Sequence, residues 1–305
     1  MKNLIKLSLF ALVLAIIGAC NSTKQLSSAM KVSKDDTFNY EVTQHSNMSI
    51  KIMGQDMSTV GKQSTNYAFK VTEVASSGDF KTEVTIDRIT FDQDVPSMGK
   101  IKYDSADKTG NKNSPMASLG EAVGKKFNVS YTKNGEITKT EGMQEIIGGL
   151  MKGFSQPGAE QVLSSFGTEG ITATLKNLSG IIKGNPSIGS SWNTTTAAKG
   201  IINMTLDQTY TLKERKNGQA IIAVTGTAKT DPNEEGLEFQ GMEISYNLTG
   251  PISGTIIVDE ATGWAVSSDV TPNLSGKMTV KGSPLGDMNV NANVKLGLSA
   301  VRLGK

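Results

Sequence analysis

Thiols, imidazoles and guanidinium groups are nearly missing from this chain of 305 residues, which has one cysteine, one histidine and three arginines, Arg88, Arg215 and Arg302. A single cysteine, Cys20, excludes an intrachain disulfide, so folding must rest on burial and hydrogen bonding. Any serine or cysteine triad would have to be built on His45, and no Gly-x-Ser-x-Gly elbow accompanies it. His45 reads instead as an exposed residue of a strand or turn. One imidazole and one thiol also fall short of a zinc ligand set. Scarce arginine, with no basic run interleaved with aromatics, argues against a nucleic-acid partner.

A long apolar run is missing too. The longest, Leu7 to Ile17, is shorter than the roughly 20 residues a spanning helix needs. It follows the basic start Met1-Lys2-Asn3-Leu4-Ile5-Lys6 and leads into Gly18-Ala19-Cys20, the layout of a secretory signal. Ile17-Gly18-Ala19-Cys20 resembles the bacterial lipobox. That resemblance implies a diacylglycerol thioether on Cys20, cleavage after Ala19 and acylation of the new amine. Several acyl chains, at about 0.8 kcal/mol per buried methylene, would hold the protein at a membrane. The alternative is an ordinary cleaved signal whose first mature residue happens to be cysteine. Cleavage removes Lys2 and Lys6 and no acid, so the 31 basic side chains fall to 29 against 29 acidic ones.

Residues 1–19 are therefore expected to be a signal peptide and 20–35 a flexible polar tether. A single β-rich domain should fill 36–305. Period-two alternation begins near Thr37, with Phe38, Tyr40 and Val42 on one face and then Met48, Ile50 and Ile52. It returns at Tyr67 to Val71, Phe80 to Phe91, and Ile101 with Tyr103. Turns are expected at Gly54-Gln55-Asp56, Ser76 to Asp79 and Lys133-Asn134-Gly135. Strands resume near Ser191, turn at Lys216 to Gln219, and continue as Met242 to Thr249, Gly254 to Asp259, Trp264 to Val270, Gly276 to Lys281 and Met288 to Leu298.

Between the two strand-rich flanks, a helical insert is expected over about 140–183. Met143, Ile146, Ile147, Leu150, Met151 and Phe154 share one helical stripe. Further helices are expected from Ala159 to Phe166 and from Glu169 to Leu178. The fold class is thus mainly β, a curved antiparallel sheet or half-barrel with a central insert of short α-helices.

Gly54-Gln55-Asp56-Met57, Ile101-Lys102-Tyr103-Asp104-Ser105 and Pro186 to Trp192 together resemble an uncharacterised lipoprotein family common in Bacteroidota. Relatives often carry an acid where Ser190 stands. The resemblance implies an envelope address and a fold, and no activity. The pattern is also similar to half-barrels that carry lipids or lipoproteins across the periplasm, with helices lying across a concave apolar face. The Met143 to Phe154 stripe would lie there, with Met48, Met53, Met57, Met98, Met116, Met143 and Met151 as soft lining. The alternative is that these side chains fill a closed core.

Other constellations carry little chemistry. Ser28-Ala29-Met30-Lys31 and Lys108-Thr109-Gly110 match two motifs of penicillin-recognising enzymes, but the third element is missing and Ser28 lies in the expected tether. Asp87, Asp92 and Asp94, and Asp231, Glu234, Glu235 and Glu238, lack the spacing of a calcium loop. Asp104-Ser105-Ala106 is similar to the O-glycosylation acceptor of Bacteroidota envelope proteins, which makes Ser105 a candidate modification site.

The expectation is a lipid-anchored envelope protein at the periplasmic face of the outer membrane, with Cys20 as its lipidation site. It would bind an apolar or lipid ligand and have no catalytic residue, metal or cofactor. Its partners would be the membrane and a lipid or envelope protein, with no nucleic acid. The rival reading is a structural or assembly partner of an outer-membrane complex.

Overall fold

The computed structural model describes residues 26–52, 55–95, 99–114, 116–153, 167–198, 203–230, 237–239, 242–282 and 288–304. Alternating apolar and polar residues fold into thirteen strands of one antiparallel sheet that does not close into a barrel. They are β1 (Thr37–Ile52), β2 (Gln55–Val74), β3 (Phe80–Val95), β4 (Gly99–Asp104), β5 (Lys126–Tyr131), β6 (Ile137–Glu141), β7 (Ser191–Ala198), β8 (Met204–Lys216), β9 (Gln219–Thr230), β10 (Leu237–Phe239), β11 (Met242–Asp259), β12 (Ala265–Lys281) and β13 (Met288–Leu303). The spatial order is β6-β5-β3-β2-β1-β13-β12-β11-β9-β8-β7, with β4 on β3 and β10 on β11.

The first and last strands pair at the centre, from Asn39 with Leu303 to Lys51 with Asn291. The insert joins β6 to β7, the two edges of the sheet. Its described helices are α1 (Met143–Gly153) and α2 (Thr168–Leu175). The expected helix over 159–166 lies outside the described residues. α2 stops three residues before its expected end, because the Leu178 N–H turns back to the Leu175 carbonyl at 2.9 Å. The Leu178 carbonyl then accepts the Ala265 N–H at 2.9 Å.

Three turns form as their residues demand. Asn217 and Gly218 both take positive φ, 53° and 74°, as a two-residue hairpin loop requires. Gly78 and Gly135 do the same for the loops after β2 and β5, at 89° and 79°. These loops, with 260–264 between β11 and β12, gather at one end of the sheet, the lower pole.

Two expectations are corrected. First, the polar segment before β1 is docked, not free, from Leu26 onward. Its Ser28, Met30 and Lys31 N–H groups donate to the carbonyls of Gly184, Lys133 and Thr262 at 3.0, 2.8 and 3.0 Å. Leu26 and Met30 are buried, each in a different apolar cluster. The rest of the expected tether, 20–25, lies outside the described residues. Second, the strand expectations that stopped at Thr249 and Val270 are parts of longer strands. β11 runs on through Gly250-Pro251, and β12 through Thr271-Pro272.

One face of the sheet is apolar and divides into two clusters. Around β1 to β6, Phe38, Tyr40, Phe69, Phe80 and Tyr131 surround Trp264, whose ring centre lies 4.3 Å from that of Phe38. Here the insert acts as a lid. Met143, Ile146 and Leu150 of α1 pack with Leu119 and Ala122 of the 3-10 turn Ala117–Ala122, and Ile171 and Leu175 of α2 join them. Met143, Ile146, Ile147 and Leu150 of the expected stripe therefore fill a core and do not line an open surface, while the Met151 side chain and Phe154 lie outside what the structure describes. Burying Leu or Ile in this way gives about 1.5–3 kcal/mol per side chain, which offsets the helix cost of Gly148 and Gly149.

Candidate functional site

The second cluster, on β7 to β13 and the far end of β1, is built differently. Among the described residues, only Leu26, Ile181 and Ile182 join it from outside the strands. No described helix covers it, so the sheet must shield this face by curling. Glycines make the bend possible. Gly226, Gly250, Gly254 and Gly276 all sit at inward positions, where an added Cβ would overlap the backbone carbonyls of Asp207, Asn273, Asp269 and Asn247. Glycine in a strand interior marks such close backbone approach. Pro251 and Pro272, neither able to donate a ladder hydrogen bond, fall on the same crease.

Alternation is clear on the inward side of these strands. Inward positions carry Leu206, Leu212, Ile222, Val224, Leu248, Ile252, Ile256, Val270, Leu274, Met278 and Val294. Outward positions are mostly polar, as in Thr225-x-Thr227-x-Lys229 and Asn273-x-Ser275-x-Lys277, with Ile221, Ile257 and Val301 among the exceptions. From Met204 to Leu212, Ala220 to Thr230, Met242 to Val258, Ser268 to Val280 and Met288 to Ala300, no inward position is Asp, Glu, Lys, Arg or His. This is the inverse of a bilayer-spanning barrel, which is apolar outside and polar within. No described helix is long and apolar enough to cross a membrane either.

Burial is graded along β1, β8 and β11, whereas on β9 and β12 Ala228, Thr230, Met278 and Val280 stay buried toward the same end. On β11, Leu248, Ile252, Ile256 and Val258 are buried, while Met242, Ile244 and Tyr246 toward the upper pole are half-buried. β8 repeats this, with Leu212 buried and Met204 and Leu206 half-buried; so does β1, with Val42 buried and Met48 and Ile50 half-buried. The apolar face is fully buried at the lower pole, and toward the upper one its partial exposure is confined to β1, β8 and β11. One wall carries Trp192 stacked on Tyr210, their ring centres 5.9 Å apart and planes 10° apart. Trp192 Nε1 donates to the Ile181 carbonyl at 3.0 Å, and Tyr210 Oη to Gln208 Oε1 at 3.3 Å. Burial pushes the Tyr210 and Tyr246 hydroxyls above their usual range, so both stay neutral donors. The lining can hold hydrocarbon and orient a neutral polar group.

The three arginines are all engaged in ion pairs. Arg215 Nε and Nη2 clamp Glu260 at 2.6 and 2.9 Å, and Arg88 pairs with Asp104 at 3.0 and 2.5 Å. Arg302 reaches Asp259 at 3.4 Å and lies 5.6 Å over the Phe38 ring. Arg215 and Arg302 thus brace the loop after β11. Neither faces the open pole.

Cys20 lies outside the described residues, as do Asp231, Glu234 and Glu235. Ser105 follows β4 and is half-buried; its Oγ accepts the Ile89 N–H at 3.0 Å. Its own N–H donates to the Ile89 carbonyl at 2.9 Å, so Ser105 clips the chain to β3. His45 is exposed on β1. Ser28 approaches Asn134 at 3.4 Å, whereas Lys108 to Gly110 wrap the Asp107 carboxylate. Asp92 is held by Lys100 and Lys102, both at 3.4 Å, and no group of three metal-ligating side chains occurs among the described residues. The half-buried rim of Met204, Leu206, Met242, Ile244 and Tyr246 was not singled out by the sequence reading. Its alternation was visible, but its lack of cover was not.

Tyr40, Tyr67 and Tyr131 are buried, and desolvation raises all three hydroxyls well above the ordinary value near 10. A raised folded-state pKa means that this stability is complete below the unfolded value and is lost as pH climbs past it. The expected result is stability that is flat up to about pH 9 and falls steeply above pH 10. Phenolate absorbance at these sites should appear together with unfolding, not before it. Urea midpoints measured across that range, with ultraviolet difference spectra, check this.

No curated protein matches the chain. Among solved structures it is similar to lipovitellin, in a structure of lipid-protein interactions, at 9% identity and TM-score 0.43. That match covers 90% of this chain and 26% of lipovitellin, so the chain spans about a quarter of it. It is also similar to an outer membrane channel from Pseudomonas putida at 8% identity and TM-score 0.27, covering 90% of this chain and 98% of that one. The outer membrane protein OprG from Pseudomonas aeruginosa matches at 8% identity and TM-score 0.24, covering 90% and 100%. A family model matches residues 77–265, from the loop before β3 through the insert to the first residue of β12. With more than half its length matched, the chain belongs to the family of unknown function DUF6263.

Proposed function

We propose that the protein is a bacterial envelope lipoprotein, anchored through Cys20, whose curled C-terminal half holds an acyl chain or similar apolar ligand without catalysing a reaction. The observation that carries this reading is the partial exposure of apolar side chains on β1, β8 and β11 toward the upper pole. An apolar interior that only closed a core would be sealed at both ends. Here Met48, Ile50, Met204, Leu206, Met242, Ile244 and Tyr246 keep part of their surface accessible at one pole. Methionines and aromatics with a few neutral polar groups suit hydrocarbon of variable shape. The lipobox, the mature charge of zero and the resemblance to Bacteroidota lipoproteins support an outer-membrane address facing the periplasm.

The test uses the chain with Cys20→Ser, released without acyl groups, and the fluorescent fatty acid cis-parinaric acid. Energy transfer from Trp192 to the bound fatty acid is expected. Ile244→Asp and Leu206→Asp, each placing a charge on the lining, should weaken binding at least about tenfold, or 1.4 kcal/mol. Saturable transfer that both variants leave unchanged would count against the reading, as would no transfer at all.

A second reading, an assembly partner of an outer-membrane complex, is favoured by β7. This edge strand, Ser-Trp-Asn-Thr-Thr-Thr-Ala-Ala, carries no charge and no proline, the usual protections of an exposed edge. Crosslinking in cells that returns one stoichiometric envelope protein through β7 would favour it.

A further inference from the structure

We infer that the lower pole of the sheet faces the anchoring membrane and that the apolar opening points away from it. The inference rests on the lipidation of Cys20 proposed above, and on the docked segment before β1. Leu26 is seated in one apolar cluster and Met30 in the other. The backbone of Ser28, Met30 and Lys31 is tied to the loops at 184, 133 and 262. Cys20 and Leu26 are six residues apart, which at about 3.5 Å each allows at most about 20 Å between anchor and domain. That reach is far less than the length of the sheet, because the 17 residues of β12 span about 55 Å. The anchor therefore holds the lower pole, with its loops at 75–79, 132–136, 217–218 and 260–264, against lipid headgroups. The rim at Met204, Met242 and Ile244 stands at the far end.

A ligand site so directed exchanges its cargo with a protein across the envelope gap, not with the bilayer that holds it. The deep lower end, where Ile256 and Val258 are fully buried, offers no entry from the membrane side.

The mature chain has no thiol besides Cys20, so a cysteine introduced elsewhere is the only one that labels. Donor dyes are placed on Ser76→Cys, in the exposed loop after β2, and on Asn291→Cys, exposed near the upper end of β13. The full lipidated protein is reconstituted in phosphatidylethanolamine and phosphatidylglycerol vesicles that carry an acceptor-labelled lipid. Position 291 lies about 40 Å farther along the sheet than 76. Energy transfer at 76 should exceed that at 291 at least fivefold, and a 20-residue Gly/Ser insertion before Leu26 should erase the difference. Equal transfer at the two sites would overturn the inference, as would a difference that survives the insertion. Protein that fails to float with the vesicles would overturn the anchor itself, a separate failure seen before any transfer is measured.

Discussion

Replacing Gly250 with alanine is expected to unfold most of the C-terminal half at room temperature, or to cost about 3 kcal/mol or more where the chain still folds. An added Cβ at 250 would overlap the Asn273 carbonyl and stand 3.0 Å from the Leu274 Cα, so the clash is with backbone and not with a side chain that can swing aside. Gly254 is equally confined, with the Val270 Cα at 2.7 Å, and Gly226 and Gly276 each face a neighbouring Cα at 3.0 Å. The crease crosses β9, β11 and β12. Relieving one clash would flatten the sheet and open the apolar interior to water along the whole bend. Gly148→Ala is the control. Its Cβ would meet nothing within 4 Å on α1, and the change should stabilise the protein by about 0.5–1 kcal/mol. Urea unfolding followed by circular dichroism separates the two, and a Gly250→Ala protein of native stability would refute the crease.

Trp264→Ala should cost about 3–5 kcal/mol, the usual range for emptying a large aromatic from a core. Trp264 is only 1% exposed and touches rings from four strands, with Phe38, Phe69, Phe80 and Tyr131 centred 4.3, 5.8, 6.2 and 5.7 Å away. It reaches them from the loop after β11, so it fastens the C-terminal half to the N-terminal core. Its indole Nε1 is buried and has no hydrogen-bond partner among the described residues. Both variants remove that donor, but Trp264→Phe keeps an aromatic ring in the site and is therefore expected to cost markedly less than Trp264→Ala. Equal losses for the two variants, read from urea midpoints, would show that a ring filling the site contributes nothing. Both variants leave Trp192 as the only fluorophore of its kind, which reports on the second cluster independently.

Strands, turns and the helical insert were legible because each follows a local pattern. Phe38, Tyr40 and Val42 alternate, Met143, Ile146 and Leu150 recur at helical spacing, and Asn217-Gly218 is a hairpin loop wherever it falls between strands. The unbroken courses of β11 and β12 were not legible, since Gly250-Pro251 and Pro272 read as strand ends. In the sheet these residues are where the strand bends instead. The signal was present in another form, as the glycines at inward positions 226, 250, 254 and 276 of β9, β11 and β12. The docked segment was missed for a different reason. Two apolar residues, Leu26 and Met30, carry its burial, too few for any period to stand out in a polar stretch.

The candidate site was half legible. Alternation placed Met48 and Ile50 on the inner face together with Phe38 and Tyr40, but sequence does not tell a covered residue from an uncovered one. That distinction depends on where the insert lies. The Met143 stripe could have crossed either half, and it covers the first.

Native mass spectrometry of the Cys20→Ser protein, isolated from a bacterial envelope without detergent, tests the central reading most directly. The prediction is a bound mass of one lipid or fatty acid per chain, absent from Ile244→Asp prepared in the same way. A single unliganded mass for the parent protein, unchanged after incubation with fatty acid, would contradict it.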